Sequence, residues 1–363
     1  MKKKASRFNR SLITITLSIF SLLALVASGF GGAASPAAST KTHQVGKFVY
    51  VGNKGSSNIS MFRIEPGTGN LHGLGVVQAG RRPQSLAVHP NGQFVYVADE
   101  QAGNVNVFRA DSYSGYLSPI GSTPAGKQPQ GIMVNPNGRF AYVANRGTDN
   151  ISMYNLDSGT GQLSPIGSVY AGKQPTSIAI HPSGRFALLT NKNSNLISMF
   201  RIRNQTGAME PIGVVPTPTG TEATSVAFTP AGDVAVVPSR QADTVMLFAV
   251  SSPTSPLTPI GTVPVNGGPT SVSVTPSGVG VVTNQNSNTI TVINITPTGG
   301  APIGTVPAGS GPVSVAVDPA GFAYVANQNS NNVSVFAVTP YGQPMPIGTV
   351  PAGTTPQAVV VAQ

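Results

Sequence analysis

The chain repeats itself at a regular interval. The segment FVYVGNKGSSNISMFRI, which begins at Phe48, returns as FVYVADEQAGNVNVFRA from Phe94 and as ALLTNKNSNLISMFRI from Ala187. A turn with Pro and Gly at fixed offsets gives the period. Its successive spacings are 46, 46, 48, 46 and 43 residues, measured at Pro90, Pro136, Pro182, Pro230, Pro276 and Pro319. A period of this length predicts a tandem array of structural repeats, and the array constrains every other feature of the fold.

Four short apolar runs lie between one such turn and the next. In the second repeat they are SLAVH, FVYVA, NVNVF and LSPIGSTP, each bounded by Gly, Pro, Asn or Ser. Alternating apolar residues between turn residues predict β-strands, and four strands in about 40 to 50 residues match one β-propeller blade. We name these strands A to D. The Pro in the D run indicates an outer edge strand, because Pro cannot donate to a central ladder.

Counting the runs predicts seven blades and a particular way of closing them. The B-type run begins at Phe48, Phe94, Phe140, Phe186, Val234, Val279 and Phe322. The A-type run begins at Pro83, Pro129, Pro175, Ala223, Pro269, Pro312 and Pro356. The chain therefore starts on a B strand and ends on an A strand. We expect an all-β, seven-bladed β-propeller over residues 41–363, with four-stranded antiparallel blades and the C-terminal strand completing the N-terminal blade, which hides the open edges.

The first forty residues differ from the array. An apolar run from Leu12 to Val26 is followed by small residues and preceded by five bases, Lys2, Lys3, Lys4, Arg7 and Arg10. This layout predicts a secretory signal peptide and a flexible lead-in over residues 1–40; an uncleaved membrane anchor is the alternative. The predicted product is exported, and therefore periplasmic, at the cell surface or secreted, with no membrane span in the mature chain.

Composition excludes several function classes. The chain has no Cys, which rules out thiol nucleophiles, cysteine metal sites and lipid attachment at a cysteine. We expect no metal site and no cofactor, since His, Asp and Glu are not clustered. Nucleic-acid binding is also excluded, because an exported chain with few aromatic residues near its basic turns lacks stacking platforms. We expect a monomer.

The bases are distributed unevenly along the chain. Without the five before residue 11, 21 − 5 leaves 16 Lys and Arg against 11 Asp and Glu, and none of the 16 follows Arg240. In a propeller, the turns before strand A and the B–C turns share one face, the top. The pre-A turns place three bases near the channel mouth, Arg82, Lys127 and Lys173. The B–C turns place four slightly farther out, Lys54, Arg146, Lys192 and Arg240. This arc could attract an anionic small molecule, glycan or protein partner; bases that only solubilise the surface are the alternative.

The blade pattern P-x-S-[IV]-x-[IV]-x-P-x-G-x-F-x-Y-V-A-N resembles the YVTN-type repeat. With seven blades of this length, the chain resembles the propeller lactonases, which include bacterial 6-phosphogluconolactonases and fungal muconate cyclases. The resemblance covers nearly the whole chain after residue 44. It implies the propeller fold and, as an activity, hydrolysis of a sugar lactone. Similar repeats also serve in exported surface and binding proteins, so the resemblance specifies the fold more closely than the activity.

The catalytic residues of that family are not found at the matching positions. The resemblance implies Arg and His directly after the Gly-Pro that opens an A strand. The pairs found there are Gln84–Ser85, Gln130–Gly131, Thr176–Ser177, Thr224–Ser225, Thr270–Ser271, Val313–Ser314 and Gln357–Ala358. The only carboxylate in a pre-A turn is Glu222, and a lactonase would need it to act as base with Lys127, Lys173 or Arg82.

These observations favour a non-enzymatic binding or cell-surface interaction module with a basic top face. A sugar-lactone hydrolase of the 6-phosphogluconolactonase type is the alternative, and a structural envelope protein without a ligand is a third possibility.

Overall fold

The structure, a computed structural model, describes residues 48–192, 194–252, 257–339 and 342–362. The predicted signal peptide and lead-in lie outside these ranges, so export remains a prediction. Within the described ranges, no helix has the length and hydrophobicity needed to cross a membrane.

The described residues form β-strands joined by turns. The strands of the first four blades are β1 Phe48–Asn53, β2 Asn58–Ile64, β3 Leu71–Gln78, β4 Pro83–Val88, β5 Phe94–Asp99, β6 Asn104–Ala110, β7 Leu117–Pro124, β8 Pro129–Val134, β9 Phe140–Asn145, β10 Asn150–Leu156, β11 Leu163–Tyr170, β12 Pro175–Ile180, β13 Phe186–Asn191, β14 Leu196–Ile202 and β15 Met209–Pro216. The remaining strands are β16 Ala227–Phe228, β17 Val234–Ser239, β18 Thr244–Ala249, β19 Thr258–Pro264, β20 Pro269–Val274, β21 Val279–Asn284, β22 Thr289–Thr296, β23 Gly299–Pro307, β24 Pro312–Val317, β25 Phe322–Asn327, β26 Asn332–Ala337, β27 Met345–Pro351 and β28 Pro356–Ala362.

These strands form seven four-stranded antiparallel sheets. Six sheets follow chain order, from β4-β5-β6-β7 to β24-β25-β26-β27, and the seventh has the order β28-β1-β2-β3. The predicted seven-bladed β-propeller is confirmed, including its closure by the C-terminal strand. In the closing sheet, Tyr50 lies opposite Val360, and the backbone N–H of Lys54 donates to the carbonyl of Thr355 at 2.9 Å.

Position within a blade determines burial. The B strands β1, β5, β9, β13, β17 and β21 are buried at every residue, because neighbouring blades cover both faces of each sheet. Apolar clusters accordingly combine two adjacent blades; Tyr50 of the first blade, for example, shares a cluster with Val97 and Phe108 of the second. The D strands are largely exposed. Their Pro residues, such as Pro119 in β7 opposite Phe108, lie where no further strand pairs.

The fifth blade has a short inner strand. The repeat predicts an A strand from Ala223, but regular pairing is confined to β16, with one isolated bridge between Ala223 and Ser239. The neighbouring strand β17 contains Pro238, which has no N–H to donate to the ladder. Pro238 still accepts through its carbonyl from the N–H of Thr224 at 3.2 Å. The inner strand is therefore frayed next to Glu222.

An aromatic contact fastens several blades to the next one. The hydroxyl groups of three buried B-strand tyrosines donate to carbonyls in the C–D turn of the following blade: Tyr50 to Gly115 at 2.9 Å, Tyr96 to Gly161 at 3.1 Å and Tyr142 to Gly207 at 2.8 Å. Burial raises the pKa of each of these tyrosines above its usual range, so each remains a donor. The Phe two residues earlier packs on the same glycine, and a Cβ there would overlap its ring.

Only the Phe–Gly part of this contact joins the seventh blade to the first, because the hydroxyl group of Tyr324 donates to Oδ2 of Asp318 at 3.4 Å. There, Phe322 packs on Gly69, which has a φ of +74°. Gly67, in the same turn, has a φ of +81° but nothing near its Cβ position. A side chain at Gly67 therefore tests the backbone conformation alone, whereas a side chain at Gly69 tests the backbone conformation and the contact with Phe322 together.

We expect Gly67→Ala to lower the free energy of unfolding by about 1 kcal/mol, since a left-handed backbone disfavours a side chain. Gly69→Ala should lower the free energy of unfolding by ~2 kcal/mol more than Gly67→Ala does, because the new methyl group must displace the half-buried ring of Phe322. Urea denaturation followed by fluorescence and circular dichroism measures both. Equal losses for the two variants would show that the aromatic contact does not fasten the ring.

Candidate functional site

The top face is built by one hydrogen bond that recurs in all seven blades. The residue after each B strand donates its backbone N–H to the carbonyl of the residue just before the A strand. The pairs are Lys54–Thr355, Glu100–Arg82, Arg146–Gln128, Lys192–Gln174, Arg240–Glu222, Gln285–Gly268 and Gln328–Gly311. The B–C turns and the pre-A turns therefore share one face, as the sequence predicts.

A cavity of about 660 Å³ occupies the channel and opens at this face. Every blade contributes to its wall through the two residues after the first residue of its A strand, from Gln84 and Ser85 to Gln357 and Ala358. These are the positions at which the family resemblance implies Arg and His. They face the channel and carry amides, hydroxyl groups and small side chains instead.

The structure separates the seven predicted bases into two sets. Three B–C bases line the cavity and are half-buried, namely Arg146, Lys192 and Arg240. Lys54 reaches the same rim, where its Nζ donates to Oε1 of Gln84 at 3.0 Å. The pre-A bases are exposed and do not line the cavity: Arg82, Lys127 and Lys173. The expected order, with the pre-A bases at the channel mouth and the B–C bases farther out, is therefore wrong.

Backbone conformation distinguishes the turns of the two lysines from that of Arg82, which is exposed without a left-handed residue after it. Gln128 and Gln174, which follow Lys127 and Lys173, have φ values of 51° and 52°. A left-handed residue between the lysine and the A strand reverses the chain direction. The lysine side chain is then directed to the outside, whereas the B–C turn folds over the inner end of the blade. Residue type alone does not report this reversal.

Glu222 is the carboxylate at the channel mouth. It lines the cavity, its side chain is only 15% exposed, and its Oε1 forms an ion pair with Lys192 at 3.2 Å. Its Oε2 accepts from Nε2 of Gln241 at 3.2 Å. The partner is thus Lys192 of the B–C set, and not Lys173, which the turn pattern suggested. The ion pair leaves the carboxylate adjacent to the channel.

Glu222 has the left-handed backbone that most blades show just before the A strand. Its φ is +46°, in the left-handed region, and the equivalent positions in the sixth and seventh blades are Gly268 and Gly311, with φ values of 68° and 65°. Glycine adopts this conformation without a steric penalty, whereas other residues do not. Gln128, Gln174 and Thr355 have the same left-handed backbone at this position in other blades. Glu222 is therefore distinguished by its carboxylate and by its place in the cavity wall.

Side-chain amides complete the rim in two directed hydrogen-bonded chains. In the first, Nη2 of Arg240 donates to Oε1 of Gln285 at 2.7 Å, and the amide nitrogens continue from Gln285 to Gln328 and from Gln328 to Gln357. In the second, Lys54 donates to Gln84, whose Nε2 donates to Gln130 at 3.2 Å. Each chain starts at a cation, which fixes the orientation of the amides.

The electrostatics of the mouth follow from these contacts. Lys54 pairs with Glu100 at 2.8 Å, and Lys192 pairs with Glu222. Neither Arg146 nor Arg240 forms an ion pair in the part of the chain that the structure describes. Two guanidinium groups therefore face the channel with their charge uncompensated, beside one carboxylate. Sequence reasoning named all three residues but missed the glutamines. The glutamines could have been found from their sequence positions, which are the residue after a B strand and the residue after the Pro that opens an A strand.

The histidines of the described residues do not reach this mouth. His72 is in the outer strand β3, and His89 and His181 occupy A–B turns on the opposite face. There Nε2 of His89 bonds to the carbonyl of Gly138 at 2.9 Å, and Nε2 of His181 to that of Gly232 at 3.1 Å. In the third blade, Asn135 makes the same link, from Nδ2 to the carbonyl of Gly184 at 2.8 Å. Both histidines thus have a structural role, joining one blade to the next.

Comparison with known proteins identifies a family that this sequence matches. The sequence matches the family described as "Lactonase, 7-bladed beta-propeller" over residues 9–132, 125–222 and 214–317, which is most of the chain. No curated protein sequence matches it significantly.

Several solved structures share the fold at low sequence identity. A putative 6-phosphogluconolactonase from Bacteroides fragilis superposes with a TM-score of 0.79 at 18% identity, covering 89% of this chain and 99% of that one. One from Bacteroides uniformis gives 0.79 at 19% identity, covering 88% and 100%. The periplasmic gluconolactonase of Pseudomonas aeruginosa gives 0.76 at 20% identity, covering 88% and 99%. At such identities the likeness establishes the fold.

The structural role of His181 generates a pH-dependent prediction. Burial lowers the pKa of its imidazole, with the Gly232 carbonyl opposing the shift, and Nδ1 accepts from the backbone N–H of Ser183 at 3.1 Å. The folded state therefore binds the proton less readily than the unfolded state. It follows that stability is lost as the pH falls from above the unfolded value of about 6.5 towards the lower folded pKa.

We expect His181→Asn to reduce the fall in melting temperature between pH 7.5 and pH 5, since Asn135 shows that asparagine can make the same inter-blade link without titrating. The control is His72→Asn, which removes a solvent-exposed histidine and should preserve the parent profile. Differential scanning calorimetry at the two pH values measures both. An unchanged fall in the His181 variant would contradict the assignment.

Proposed function

Because the chain belongs to the lactonase family of seven-bladed β-propellers, we propose that it hydrolyses a sugar lactone at the mouth of its channel. The observation that carries this proposal is Glu222, a half-buried carboxylate that lines the cavity beside cations. The fold by itself does not specify an activity; the proposal rests on this site together with the family.

Glu222 is suited to act as the general base. Its carboxylate is held by Lys192 at 3.2 Å and Gln241 at 3.2 Å, which fixes its orientation while the cavity supplies space for a water molecule and a ligand. A positioned carboxylate can take a proton from water as that water attacks a carbonyl carbon. A lactone is an activated ester within a ring, so one base and a stabilised oxyanion suffice for its opening.

Arg146 and Arg240 supply the positive charge that the reaction requires. Attack of water on the lactone carbonyl places a negative charge on the carbonyl oxygen, and fixed cations in a site shielded from water stabilise that charge. Arg240 is held in place by its hydrogen bond to Gln285 at 2.7 Å. The same guanidinium groups also favour substrates that carry a phosphate or a carboxylate.

The proposed reaction balances with these groups alone. Glu222 removes a proton from water, and the resulting oxygen forms a bond to the carbonyl carbon. The tetrahedral intermediate then breaks its bond to the ring oxygen, which takes the proton back from Glu222. The product is an open-chain hydroxy acid, which releases a proton to solvent at neutral pH, and the carboxylate is regenerated.

The comparisons support this enzymatic alternative better than the binding module that the sequence first favoured. The family and the structures from the two Bacteroides species and Pseudomonas aeruginosa are described as lactonases. The absence of the Arg-His pair argued against catalysis, but it excludes only one arrangement of catalytic residues. The structure brings a different carboxylate and different cations to the same mouth, so the missing pair does not remove the chemistry.

We expect the purified protein to accelerate hydrolysis of 6-phosphogluconolactone or gluconolactone above the spontaneous rate, and Glu222→Gln to lower kcat by roughly a hundredfold or more, as loss of a general base does. Proton release in a weakly buffered solution with a pH indicator measures the rate. The matched control is Glu210→Gln, which changes a carboxylate on the outer strand β15. Absence of hydrolysis by the parent protein would refute the proposal, and full activity of the Glu222 variant would refute the role of that residue.

The backbone of Glu222 yields a separate prediction on stability. Glu222→Gly and Glu222→Ala both remove the side chain, but only Gly suits a φ of +46°. The Gly variant should therefore be the more stable of the two by about 1 kcal/mol, and both should be inactive. At Glu210, where φ is not positive, the order should reverse. Urea denaturation of the four variants tests this, and a more stable Ala variant at position 222 would contradict it.

A further inference from the structure

The outer set of bases is separate from the channel. Lys127 and Lys173 are exposed on the top face of the third and fourth blades, and neither forms an ion pair within the described ranges. The lactonase chemistry proposed above does not use them. They also lie on the side of the ring that carries the bases, since no Lys or Arg follows Arg240 in the sequence.

Three surface grooves run along this part of the top face and share residues. The first, of about 420 Å³, is lined by Lys127 and Gln128, and the second, of about 470 Å³, by Gln128 and Lys173. The third, of about 350 Å³, is lined by Lys173 and Tyr170. Because Gln128 belongs to the first two and Lys173 to the last two, the grooves are adjacent across neighbouring blades, and we call the three together the track. An extended molecule fits such a track better than a compact one.

The charge of the track is positive. The first groove contains Glu100, which is already paired with Lys54 at 2.8 Å. The second contains Asp149, whose Oδ1 accepts from the backbone N–H of Gln174 at 2.8 Å, and it also contains Arg146. Lysines thus recur from blade to blade, and their charge is only partly offset. Regularly placed cations suit a polymer with regularly placed anionic groups.

An exposed aromatic ring marks one end of the track. The side chain of Tyr170 is 66% exposed, and the groove that it shares with Lys173 has a mainly apolar wall that includes Val214, itself 56% exposed. Aromatic rings at a polar surface offer a flat apolar face next to a hydrogen-bonding edge. The C–H face of a sugar ring packs well on such a surface. A polyphosphate or an acidic peptide has no equivalent flat face.

We propose that this track binds an acidic polysaccharide, a chain of sugars that carry carboxylates, with Lys127 and Lys173 contacting the carboxylates and Tyr170 packing on a sugar ring. The inference concerns a surface outside the channel and does not depend on lactone hydrolysis. It names a partner class by its chemistry: regular negative charge together with pyranose faces.

The test is binding of polygalacturonate to the full chain, measured by isothermal titration calorimetry at low salt, with neutral dextran, monomeric galacturonate and polyphosphate as comparison ligands. We expect polygalacturonate to bind and dextran and galacturonate not to bind. The double variant Lys127→Gln, Lys173→Gln should bind about tenfold more weakly, a loss of ~1.4 kcal/mol. The matched control is Arg185→Gln, Arg201→Gln, which removes the same charge at the opposite face and should leave the affinity unchanged.

Tyr170→Ala distinguishes a sugar from other polyanions. It should weaken polygalacturonate binding severalfold and leave any polyphosphate binding unchanged, since it removes no charge. Three results would overturn the proposal: no binding of polygalacturonate, an equal loss in the control double variant, or no effect of Tyr170→Ala on polygalacturonate. The last two would indicate nonspecific attraction by net charge and a polyanion that is not a sugar, respectively.

Discussion

The pairing of β28 with β1 is the constraint on which the rest of the structure depends. Each blade buries its B strand only because a neighbour covers it on both sides, so an open array would expose an apolar face at each end. Joining the two chain ends in one sheet removes both. The pairing also places the pre-A and B–C turns of the first blade on the top face with those of the other blades, and side chains from these turns surround the channel.

The residue before each A strand has both a constrained backbone and a side chain on the top face. Its backbone is left-handed in most blades, and Gly268 and Gly311 satisfy that requirement without strain. Gln128, Gln174, Glu222 and Thr355 adopt the same backbone with a side chain in place. The first two turn the preceding lysines outward, while Glu222 sits beside a frayed inner strand and over the channel. The one blade whose A strand is weakened by Pro238 is also the blade that carries the carboxylate.

Periodicity was enough to predict the blade number, the strand order and the ring closure, because burial of the B strand and exposure of the D strand leave direct marks on the sequence. Radial position was not predictable in the same way. Lys127 and Lys173 each precede a residue with a left-handed φ, and a Gln at that position gives no indication of this conformation. The partnership of Glu222 with Lys192 followed from the same geometry and was missed for the same reason.

The proposed hydrolytic site is built without a histidine. Two residues of each A strand line the cavity, together with the residue after the B strand in five of the blades. Three of those five residues are the bases Arg146, Lys192 and Arg240, and the other two are glutamines in the hydrogen-bonded chain that begins at Arg240. In the proposed reaction, the carboxylate of Glu222 acts as a base beside these positive charges, which stabilise the oxyanion. Lys127 and Lys173 are exposed on the top face and do not take part in this site.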